Sequence, residues 1–493
     1  MPNLPAVGVF VLGVLTVQVL ILSLNLLYWR RRRLGVVEPD FALTFPNHSS
    51  ANLAPPSPLS ASDPTCHSER SEESRNNLTP LSPLSASREG GEPSSPSPFT
   101  ERGQGGEVKP AASGEGAWVR VTENLTLLPP SPEKRGGSAD GSPSPFSGEK
   151  GQGVEGFSQI ALSLLIPARN ERENLPRLIE SLAPQLARPD VELWVCDDGS
   201  DDGTTEWLAQ NAERLGVRWF RSAPRPDGWV GKNWACYQLA TRACGEWLVF
   251  LDADLVACED FLPALLRSLS HSDAQLVSAI PTFTPSSIWV GFVKLLVPFS
   301  VFSLLPLALA ENHPHRAFAF ANGQLIGFRR CDYARWLPHF FVRSAVLEDV
   351  ALAQLVKTHR GKVTLYDARP YLQVSMYRNY ADASQGFAKN AVAICRNVPM
   401  TLLVAGLLVL VYGYPIGALL LSGGQAVWAW LAATLSVAIF GMSARVVGMR
   451  FGWGLLYLLS IAVGLTVLIR SVWWYTRGTV IWKGRVYRVR SNE

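Results

Sequence analysis

The chain has 493 residues, of which 47% are hydrophobic, and its 45 lysines and arginines against 41 aspartates and glutamates give a formal net charge of +4. This near balance argues against a nucleic-acid-binding protein, because a surface that follows a phosphate backbone normally shows a clustered basic excess. The seven cysteines are odd in number and none belongs to a CxxC pair, which predicts reduced thiols in a cytosolic compartment and neither a disulfide framework nor a zinc site.

The first predicted element is a membrane anchor within residues 1–33. Residues 5–29, "PAVGVFVLGVLTVQVLILSLNLLYW", carry no charge and are long enough to cross a hydrocarbon core of roughly 30 Å. Arg30 to Arg33 follow directly, whereas a cleaved signal peptide has its positive charge before the apolar run. We therefore predict a retained transmembrane helix with its C-terminal flank in the cytoplasm, by the positive-inside rule. A buried core helix is the alternative.

Residues 34–157 are predicted to be a disordered, low-complexity linker. Pro, Ser, Gly and Glu dominate from about residue 40, and "LTPLSPLSASREGGEPSSPSPFTERGQGGE" resembles "LTLLPPSPEKRGGSADGSPSPFSGEKGQGVE" further along the chain. Such a stretch buries too little apolar surface to offset its chain entropy. A recognition tail for a proline-binding partner is the alternative.

In residues 158–396 short apolar runs alternate with amphipathic segments, which predicts an α/β domain. The segments "LSLLIPARNE" (162–171) and "VELWVCDDGSDDGT" (191–204) each begin as a buried strand and end in a polar loop, and "NLPRLIESLAPQL" predicts a helix between them. Ligands of open α/β sheets bind beyond the carboxyl ends of the strands, where these acids fall. Helix capping is the alternative, with Asp201 or Ser200 capping a helix that begins near Thr204.

A third strand, "EWLVFLDADLV" (246–256), ends in Asp252 and Asp254. In an extended segment the two acids lie on the same face, where their like charges repel unless a cation lies beside them. Mg²⁺ and Mn²⁺ accept carboxylates together with phosphate oxygens. The pair therefore predicts a site for a divalent metal and a diphosphate.

The apolar segment 287–310 is long enough to cross a membrane, but its composition disfavours a straight span. Lys294 would cost about 2.5 to 3.5 kcal/mol at mid-membrane, and Pro298 and Pro306 interrupt a helix. We predict kinked helices at the membrane interface that admit a lipid laterally, with a buried domain helix as the alternative. His313 and His315 follow; we interpret them as solvated loop residues rather than metal ligands.

Two further segments carry polar candidates. "FANGQLIGFRR" (320–330) predicts an Asn-Gly turn that leads into a short strand. "VLEDVALAQLV" (346–356) predicts a helix whose first turn holds Glu348 and Asp349, where the helix dipole favours acids.

Residues 397–475 predict three more membrane spans, at 399–421, about 425–442 and about 453–475. The tail, residues 476–493, is basic and is expected on the cytoplasmic side. Three crossings from a cytoplasmic α/β domain would leave the tail outside. Either one segment is re-entrant or the tail breaks the positive-inside rule.

Five motifs together resemble a family 2 glycosyltransferase of the GT-A fold over roughly residues 160–395. They are "LIPARNERENL", "VCDDGSDDGT", "GWVGKNWAC", "FLDADL" and "VLEDVALA". Within that family, "GW.GK.WA" and "MYRNYADASQGFAKN" are most similar to membrane-bound carotenoid glycosyltransferases of the diaponeurosporenoate type and to hopanoid-associated relatives. The resemblance implies an α/β GT-A nucleotide-diphospho-sugar transferase domain, with a Rossmann-like mixed sheet, joined to transmembrane helices.

The resemblance also implies roles for individual residues. Asp198 would accept from the nucleobase with Asp197 beside it, and Glu171 would face the ribose. Asp254 would bind the metal, while Asp252 would contact the metal, the ribose or the sugar. The other implied nucleotide-sugar contacts are Pro167, Ala168, Lys232, Asn322 and Gly323, with Gln324 as a further candidate. For Lys232, a solvated loop lysine is an equal alternative to a phosphate or base contact.

The same resemblance implies an inverting hexosyltransferase in which Asp349, next to Glu348, is the general base. The donor would be a nucleoside diphosphate sugar, with UDP favoured, and Mg²⁺ or Mn²⁺ the cofactor. The acceptor would be a membrane lipid, a carotenoid or other terpenoid, reached by a cytoplasmic catalytic domain at the plasma membrane. Because Asp254 and Asp349 would share one active site, segment 287–310 could not cross the membrane once between them. A polyprenyl-phosphate glycosyltransferase and a non-catalytic membrane scaffold remain alternatives; the QxxRW element of processive members is missing after Asp349.

Overall fold

The computed structural model describes residues 6–35, 160–375, 377–395, 397–482 and 485–488. The predicted linker 34–157 lies outside the described residues except at its ends, as does much of the predicted tail 476–493. The strands are β1 (Leu162–Ala168), β2 (Val191–Asp197), β3 (Arg218–Arg221), β4 (Trp247–Leu251), β5 (Leu255–Ala257), β6 (Leu276–Ile280), β7 (Thr282–Phe283), β8 (Leu325–Arg329), β9 (Val363–Asp367), β10 (Leu372–Val374), β11 (Thr479–Trp482) and β12 (Arg485–Arg488).

The α-helices of the described residues are α1 (Ala6–Trp29), α2 (Leu175–Leu182), α3 (Thr204–Asn211), α4 (Gly231–Arg242), α5 (Phe261–Ser270), α6 (Ile288–Leu304), α7 (Leu307–Asn312), α8 (Arg330–Trp336), α9 (Pro338–Phe341), α10 (Glu348–Thr358), α11 (Tyr380–Cys395), α12 (Val398–Leu408), α13 (Tyr414–Leu421), α14 (Val427–Val446) and α15 (Tyr457–Thr476). A π-helical turn, Val409–Gly413, joins α12 to α13. Short 3₁₀ helices occur at Ala183–Gln185, Arg316–Phe318 and Phe451–Leu456.

The central sheet has seven strands in the order β3-β2-β1-β4-β8-β6-β9. Strands β3, β2, β1 and β4 are mutually parallel, β8 is antiparallel to both of its neighbours, and β6 is parallel to β9. Strands β1, β2 and β4 are almost fully buried, as expected for parallel strands covered on both faces. The predicted α/β class with a mixed sheet is therefore confirmed, and the carboxyl ends of β1, β2 and β4 lie side by side.

A second sheet has three strands in the order β5-β10-β7, and its first strand, β5, follows β4 directly in the chain. Strand β5 begins at Leu255, directly after Asp254, and the Ser375 N–H after β10 donates to the Asp254 carbonyl at 3.4 Å. This small sheet therefore holds the acidic turn that follows β4 against the segment that leads into α11.

Four helical segments are apolar and long enough to cross a membrane, by length and composition. They are Ala6–Trp29, Val398–Leu421, Val427–Val446 and Phe451–Thr476. Helices α1, α6 and α14 pack against one another, and the hydroxyl of Tyr412 donates to Gln18 Oε1 at 2.7 Å inside the bundle. The four predicted apolar spans are thus present as helices, and their length and composition fit association with a membrane.

The predicted break in segment 287–310 is also present, because α6 ends at Leu304 and α7 starts after Pro306. Lys294 is 1% exposed, and its Nζ donates to the Thr284 carbonyl at 3.2 Å. At the other end, Nζ of Lys357 on α10 donates to the carbonyl of Glu311 on α7 at 2.6 Å. Both ends of this broken helix therefore contact the domain that contains the central sheet. Its place at the membrane interface stays a prediction.

Helix α1 is tied to the break between α6 and α7 by one polar side chain. Asn25 Nδ2 donates to the carbonyls of Phe302 and Leu305 at 2.9 and 2.7 Å, and Asn25 Oδ1 accepts from the Leu307 N–H at 2.9 Å. Pro306 has no N–H with which to pair the Phe302 carbonyl, so Asn25 supplies the missing donor. The predicted anchor is therefore also a packed part of the fold.

Candidate active site

The loop after β2 is built around Asp197. Its Oδ1 accepts from the N–H and the hydroxyl of Ser200, at 3.1 and 2.5 Å, and its Oδ2 accepts from the Thr205 hydroxyl at 2.6 Å. Asp197 is fully buried, so its carboxylate shapes the loop. Asp198 is also buried, and burial raises the pKa of its carboxyl.

Helix α3 after this loop is not capped by Asp201 or Ser200, which corrects that alternative. Asp202 Oδ1 accepts instead from the N–H and hydroxyl of Thr204, at 3.0 and 2.5 Å. Only Gly203 separates Asp202 from Thr204, and its φ of 92° supplies the left-handed turn that brings the Asp202 carboxylate to Thr204.

The loop after β1 is joined to the loop after β2 by hydrogen bonds. The Asn170 N–H donates to the Ser200 hydroxyl and the Glu171 N–H to the Thr204 hydroxyl, both at 3.0 Å. Glu171 Oε2 accepts from Asn174 Nδ2 at 2.7 Å, and the Ala168 carbonyl accepts from the Asp198 N–H at 2.8 Å. Together these two loops form one continuous rim at the carboxyl edge of the sheet.

A small cleft opens beside this rim. It brings together five of the predicted site residues from five separate parts of the chain. Its lining residues are Pro167, Lys232, Cys236, Phe250, Leu251, Asp252, Gly323, Ile326, His339, Glu348 and Leu352. Ala168, Glu171, Asp197, Asp198, Asp254, Asn322 and Asp349 are not part of this lining.

Lys232 connects two of the acids that the motifs single out. It is the second residue of α4, and its Nζ lies 2.6 Å from Asp252 Oδ1 and 2.7 Å from Glu348 Oε1. Burial alone would lower the pKa of Lys232, but the charges of Asp252 and Glu348 outweigh it and raise the pKa well above its usual value. The alternative of a solvated loop lysine is therefore wrong.

The first turn of α10 holds two neighbouring acids whose pKa values move in opposite directions. Burial acts to raise the pKa of Glu348, but the charge of Lys232 outweighs it and the pKa is lowered. Burial and the charge of Glu348 raise the pKa of Asp349 to about 7. Glu348 is therefore held ionised, while Asp349 has the basicity of a group that exchanges protons near neutral pH.

Backbone donors orient Asp349 towards the turn before β8. Its Oδ2 accepts from the Gly323 N–H at 3.1 Å, and its Oδ1 accepts from the Val350 N–H at 2.8 Å. A Cβ at Gly323 would lie 3.3 Å from Asp349 Oδ2, so the close approach favours glycine. Asn322 instead bonds the central sheet, because its Nδ2 donates to the carbonyl of Ala279 on β6 at 2.8 Å.

The segment with Asp252 and Asp254 is a turn between β4 and β5, so the expectation of an extended segment with both acids on one face is wrong. The Leu255 N–H donates to the Asp252 carbonyl across the turn at 3.4 Å, and the Asp252 N–H donates to the Gln324 carbonyl at 3.1 Å. Among the residues that the structure describes, no three His, Cys, Asp or Glu side chains form a metal cluster. Two carboxylates on one turn still fit a hard cation whose remaining ligands are substrate phosphates and water.

Three residues near the cleft were not identified from the sequence. Asn233 is fully buried, and its Nδ2 donates to the carbonyls of Val342, Arg343 and Ala345 at 2.8, 3.3 and 3.1 Å, which holds the loop before Glu348. His339 lies in the cleft lining. Lys389 on α11 acts on Glu348 by its charge. The available signals were the "GKN" of the α4 motif and the "AKN" of α11.

The sheet, with polar loops at the carboxyl ends of its parallel strands, defines an α/β domain with a candidate ligand site at that edge. Residues 163–326 match the family model for Glycosyl transferase family 2. The chain therefore contains a glycosyl transferase family 2 domain, which confirms the family that the five motifs indicated.

Curated relatives match about half of the chain. It is 25% identical over 241 residues to the 4,4'-diaponeurosporenoate glycosyltransferase of Staphylococcus haemolyticus, covering 48% of this chain and 62% of that protein. It is 27% identical over 243 residues to the protein of the same name from Staphylococcus aureus, covering 48% and 61%. The chain thus spans about three fifths of the length of the relatives it matches.

One similar solved structure is glucosyl-3-phosphoglycerate synthase from Mycobacterium tuberculosis in complex with Mn²⁺, uridine diphosphate and glucosyl-3-phosphoglycerate. It is 20% identical, with 48% of this chain and 80% of that chain covered and a TM-score of 0.32. A TM-score of this size supports no comparison of sites.

Proposed function

We propose that this protein is an inverting hexosyltransferase that moves a sugar from a nucleoside diphosphate sugar, with UDP favoured, to a membrane lipid. The observation that carries the proposal is the meeting of three motifs at Lys232, whose Nζ contacts both Asp252 and Glu348. Asp349, next to Glu348, is held by the Gly323 N–H. The proposed donor-binding turn at Asp252, the positive charge of Lys232 and the candidate base Asp349 thus lie at one edge of the sheet, beyond the carboxyl ends of its strands.

The proposed reaction is a single displacement. The acceptor oxygen attacks the anomeric carbon from the face opposite the diphosphate, Asp349 takes the acceptor proton, and the bond from the anomeric carbon to the diphosphate oxygen breaks. A pKa of about 7 suits Asp349 to this task, because a general base works best when its pKa is near the working pH. Lys232 keeps Glu348 ionised and presents positive charge beside the donor turn.

Asp254, with Asp252, would hold Mg²⁺ or Mn²⁺ together with oxygens of the donor diphosphate. When bound, the cation would stabilise negative charge on the leaving group. Asp252 Oδ1 already contacts Lys232, so Asp254 is the better candidate for the principal protein ligand. Asp197 would act by shaping its loop, while Asp198 and Glu171 would face the nucleoside from the rim.

The acceptor class is proposed from the surroundings of the site and from the relatives. Lys389 lies on α11, and Tyr377 lies in the segment that leads into it. Helix α11 packs against the apolar helices α6, α12 and α15. This placement favours a lipid that reaches the site from the membrane, and the relatives' name makes a carotenoid or other terpenoid the first candidate. We place the catalytic domain on the cytoplasmic face of the plasma membrane, the side of the basic cluster after α1.

A polyprenyl phosphate is a second acceptor candidate, because Lys389 adds positive charge near Glu348 and would favour an anionic group. A scaffold without activity is a weaker alternative, since every predicted acid is present and the cleft unites several of them.

The test is metal-dependent release of nucleoside diphosphate from a panel of UDP- and GDP-sugars. The detergent-solubilised wild type, Asp254→Asn and Asp260→Asn would each be assayed with total membrane lipid. Asp260 precedes α5 and its side chain makes no capping bond, so it serves as a matched control. We expect release that needs metal and lipid, is lost in Asp254→Asn and is kept in Asp260→Asn.

Mass spectrometry of the lipid that gains the sugar separates a terpenoid from a polyprenyl phosphate. If the wild-type protein bound no donor in the presence of metal, the proposed transferase activity would be contradicted and the non-catalytic scaffold would be the remaining hypothesis.

A further inference from the structure

The motif "GWVGKNWAC" contains two tryptophans for which the proposed transfer reaction has no role. Between ring centroids, Trp229 lies 5.0 Å from Trp234 and 5.3 Å from Tyr237, both on α4. The Trp229 ring also lies 6.0 Å from that of Phe340 on α9, and Phe340 lies 5.6 Å from Phe341. We call these five residues the aromatic patch.

The aromatic patch is not part of the protein interior. None of its five side chains is buried, and Phe341 is 60% exposed. In the described chain, none of the five is part of a hydrophobic core cluster. The patch is therefore an apolar surface of the kind that marks a contact with a partner or with a membrane.

The aromatic patch also lies outside the candidate active site. Lys232 lines the cleft from the inner face of α4. Because an α-helix has about 3.6 residues per turn, Trp234 and Tyr237 lie on the outer side of the same helix. On α9, His339 lines the cleft, whereas Phe341 is exposed to solvent. The rings therefore do not form a surface of the proposed donor site.

The carboxyl edge of the central sheet is the edge that contacts the apolar helices. The Leu34 N–H, after α1, donates at 3.0 Å to the carbonyl of Asp367, the last residue of β9. The Phe283 N–H of β7, which follows β6, donates at 3.2 Å to the carbonyl of Val447, directly after α14. Both α1 and α14 are long and apolar enough to cross a membrane. The ends of two candidate spans thus meet this edge.

The aromatic patch lies at the same edge of the sheet. Helix α4 follows β3, which is parallel to β2, so α4 begins at the carboxyl ends of these strands. Lys232 in its first turn accordingly reaches Asp252, just after β4. The Val230 N–H donates to the Arg343 carbonyl at 2.7 Å, which holds the residues after α9 at this edge. The guanidinium of Arg343 lies 5.0 Å from the centre of the Phe340 ring, so a positive charge borders the patch.

We propose that the aromatic patch lies in the headgroup layer of the bilayer that the apolar helices enter, as a second contact between the α/β domain and the membrane. Tryptophan and tyrosine rings favour this layer, and an arginine beside them meets the lipid phosphates. The bilayer is favoured over a protein partner because the patch shares its edge of the sheet with the ends of α1 and α14. Such a contact holds the mouth of the cleft at the membrane surface. The proposal does not depend on the sugar-transfer reaction.

The test measures whether lipid touches the aromatic patch in the full-length protein, reconstituted into nanodiscs. An NBD fluorophore is attached at Phe341→Cys in a chain whose Cys66, Cys244 and Cys331 are replaced by serine. The same chain without Phe341→Cys corrects for labelling of the remaining thiols. The matched control carries the fluorophore on the native Cys331, which is exposed and lies after β8 at the opposite edge of the sheet. The five residues of β8 separate the two edges by roughly 17 Å.

The nanodiscs contain phosphatidylcholine with a nitroxide on its headgroup. We expect quenching at position 341 to be at least about threefold stronger than at Cys331, because contact quenching does not reach across a strand length. A label at Tyr237→Cys on α4 should behave like the label at position 341. Quenching at position 341 no stronger than at Cys331 would overturn the proposal. A blue-shifted emission at position 341 without lipid quenching would also overturn it, and would assign the patch to a contact with protein.

Discussion

Replacing Asp349 by asparagine removes the proposed base and also tests the electrostatics of its surroundings. The pKa of Asp349 is raised from 3.8 to about 7, mainly by burial and then by Glu348. One pKa unit corresponds to about 1.4 kcal/mol, so ionised Asp349 costs the fold on the order of 4 kcal/mol. Asparagine can accept only one of the hydrogen bonds from Gly323 and Val350. The loss of the other bond cancels about 1 to 2 kcal/mol of the stability gained by removing the ionised carboxylate.

The sign of the pH dependence follows from the raised pKa. The protonated form of Asp349 stabilises the fold at pH values below the pKa of about 4 in the unfolded chain, and this stabilisation is lost as the pH rises to about 7. Asp349→Asn is neutral at every pH. We therefore expect it to be more stable than wild type at pH 8, by about 2 to 3 kcal/mol, and slightly less stable at pH 4.

Two assays check this prediction. Thermal unfolding of the solubilised proteins should give a higher Tm for Asp349→Asn at pH 8, by about 5 °C, with the order reversed near pH 4. In the transfer assay, wild-type kcat/KM should fall about tenfold per pH unit below pH 7, and the variant should lose about 10²- to 10⁴-fold and this slope. An acceptor that is already ionised would reduce the loss.

Asp332→Asn is the matched control, because Asp332 is an acid in the first turn of another helix, α8. It should leave both the rate and the pH profile unchanged. A rate of Asp349→Asn within threefold of wild type, with an unchanged pH profile and Tm, would refute the assignment of the base. If Glu348→Gln alone flattened the profile, the base would be Glu348.

Three further substitutions test other contacts. Lys232→Met leaves Asp252 and Glu348 without their shared positive charge, so kcat/KM for the donor should fall about 10- to 100-fold. Arg188→Leu breaks an exposed ion pair and should change kcat/KM by less than about twofold. Equal effects of the two substitutions would contradict a special role of Lys232. Asn233→Leu frees three loop carbonyls before Glu348, so kcat should fall by about tenfold or more while the donor Kd is kept, and a loss confined to donor affinity would contradict this. Asn25→Leu removes three hydrogen bonds of a buried side chain and should lower the free energy of unfolding by about 2 to 4 kcal/mol, whereas Thr16→Val, which loses only a bond within its own helix, should not. An unchanged Tm of Asn25→Leu in thermal unfolding would exclude the Asn25 contacts as a source of stability.

The sequence predicted the carboxyl edge of the sheet well, because local patterns determine it. Strands β1, β2 and β4 are continuous apolar runs, and such runs are buried on both faces in parallel sheets. Each run ends at an acidic loop, so these loops lie along one edge of the sheet once the strands pair. The first turn of α10 was equally local, since Glu348 and Asp349 precede an amphipathic helix.

The pairings within the site depend on contacts distant in sequence and could not be read from local patterns. Lys232 contacts Asp252 and Glu348 only because α4 and α10 approach the same strand end. The turn at Asp252 is imposed by β5, which leaves the direction of β4 to pair with β10. A polar residue within an apolar helix was a local signal of a distant contact, and Asn25 and Gln18 of α1 are such residues.

Helices α1 and α10 are connected through one buried residue of α7, Glu311. Glu311 accepts from the Tyr28 hydroxyl and pairs with Arg32 at 2.7 Å, both at the end of α1, while its carbonyl accepts from Lys357 on α10 at 2.6 Å. Burial raises the pKa of Glu311 to about 7, so a charge at this position is costly without its partners. Because α10 begins at Glu348, these bonds fix the proposed catalytic acids relative to α1. The position of the proposed catalytic acids relative to α1 therefore follows from the contacts that join α1, α7 and α10.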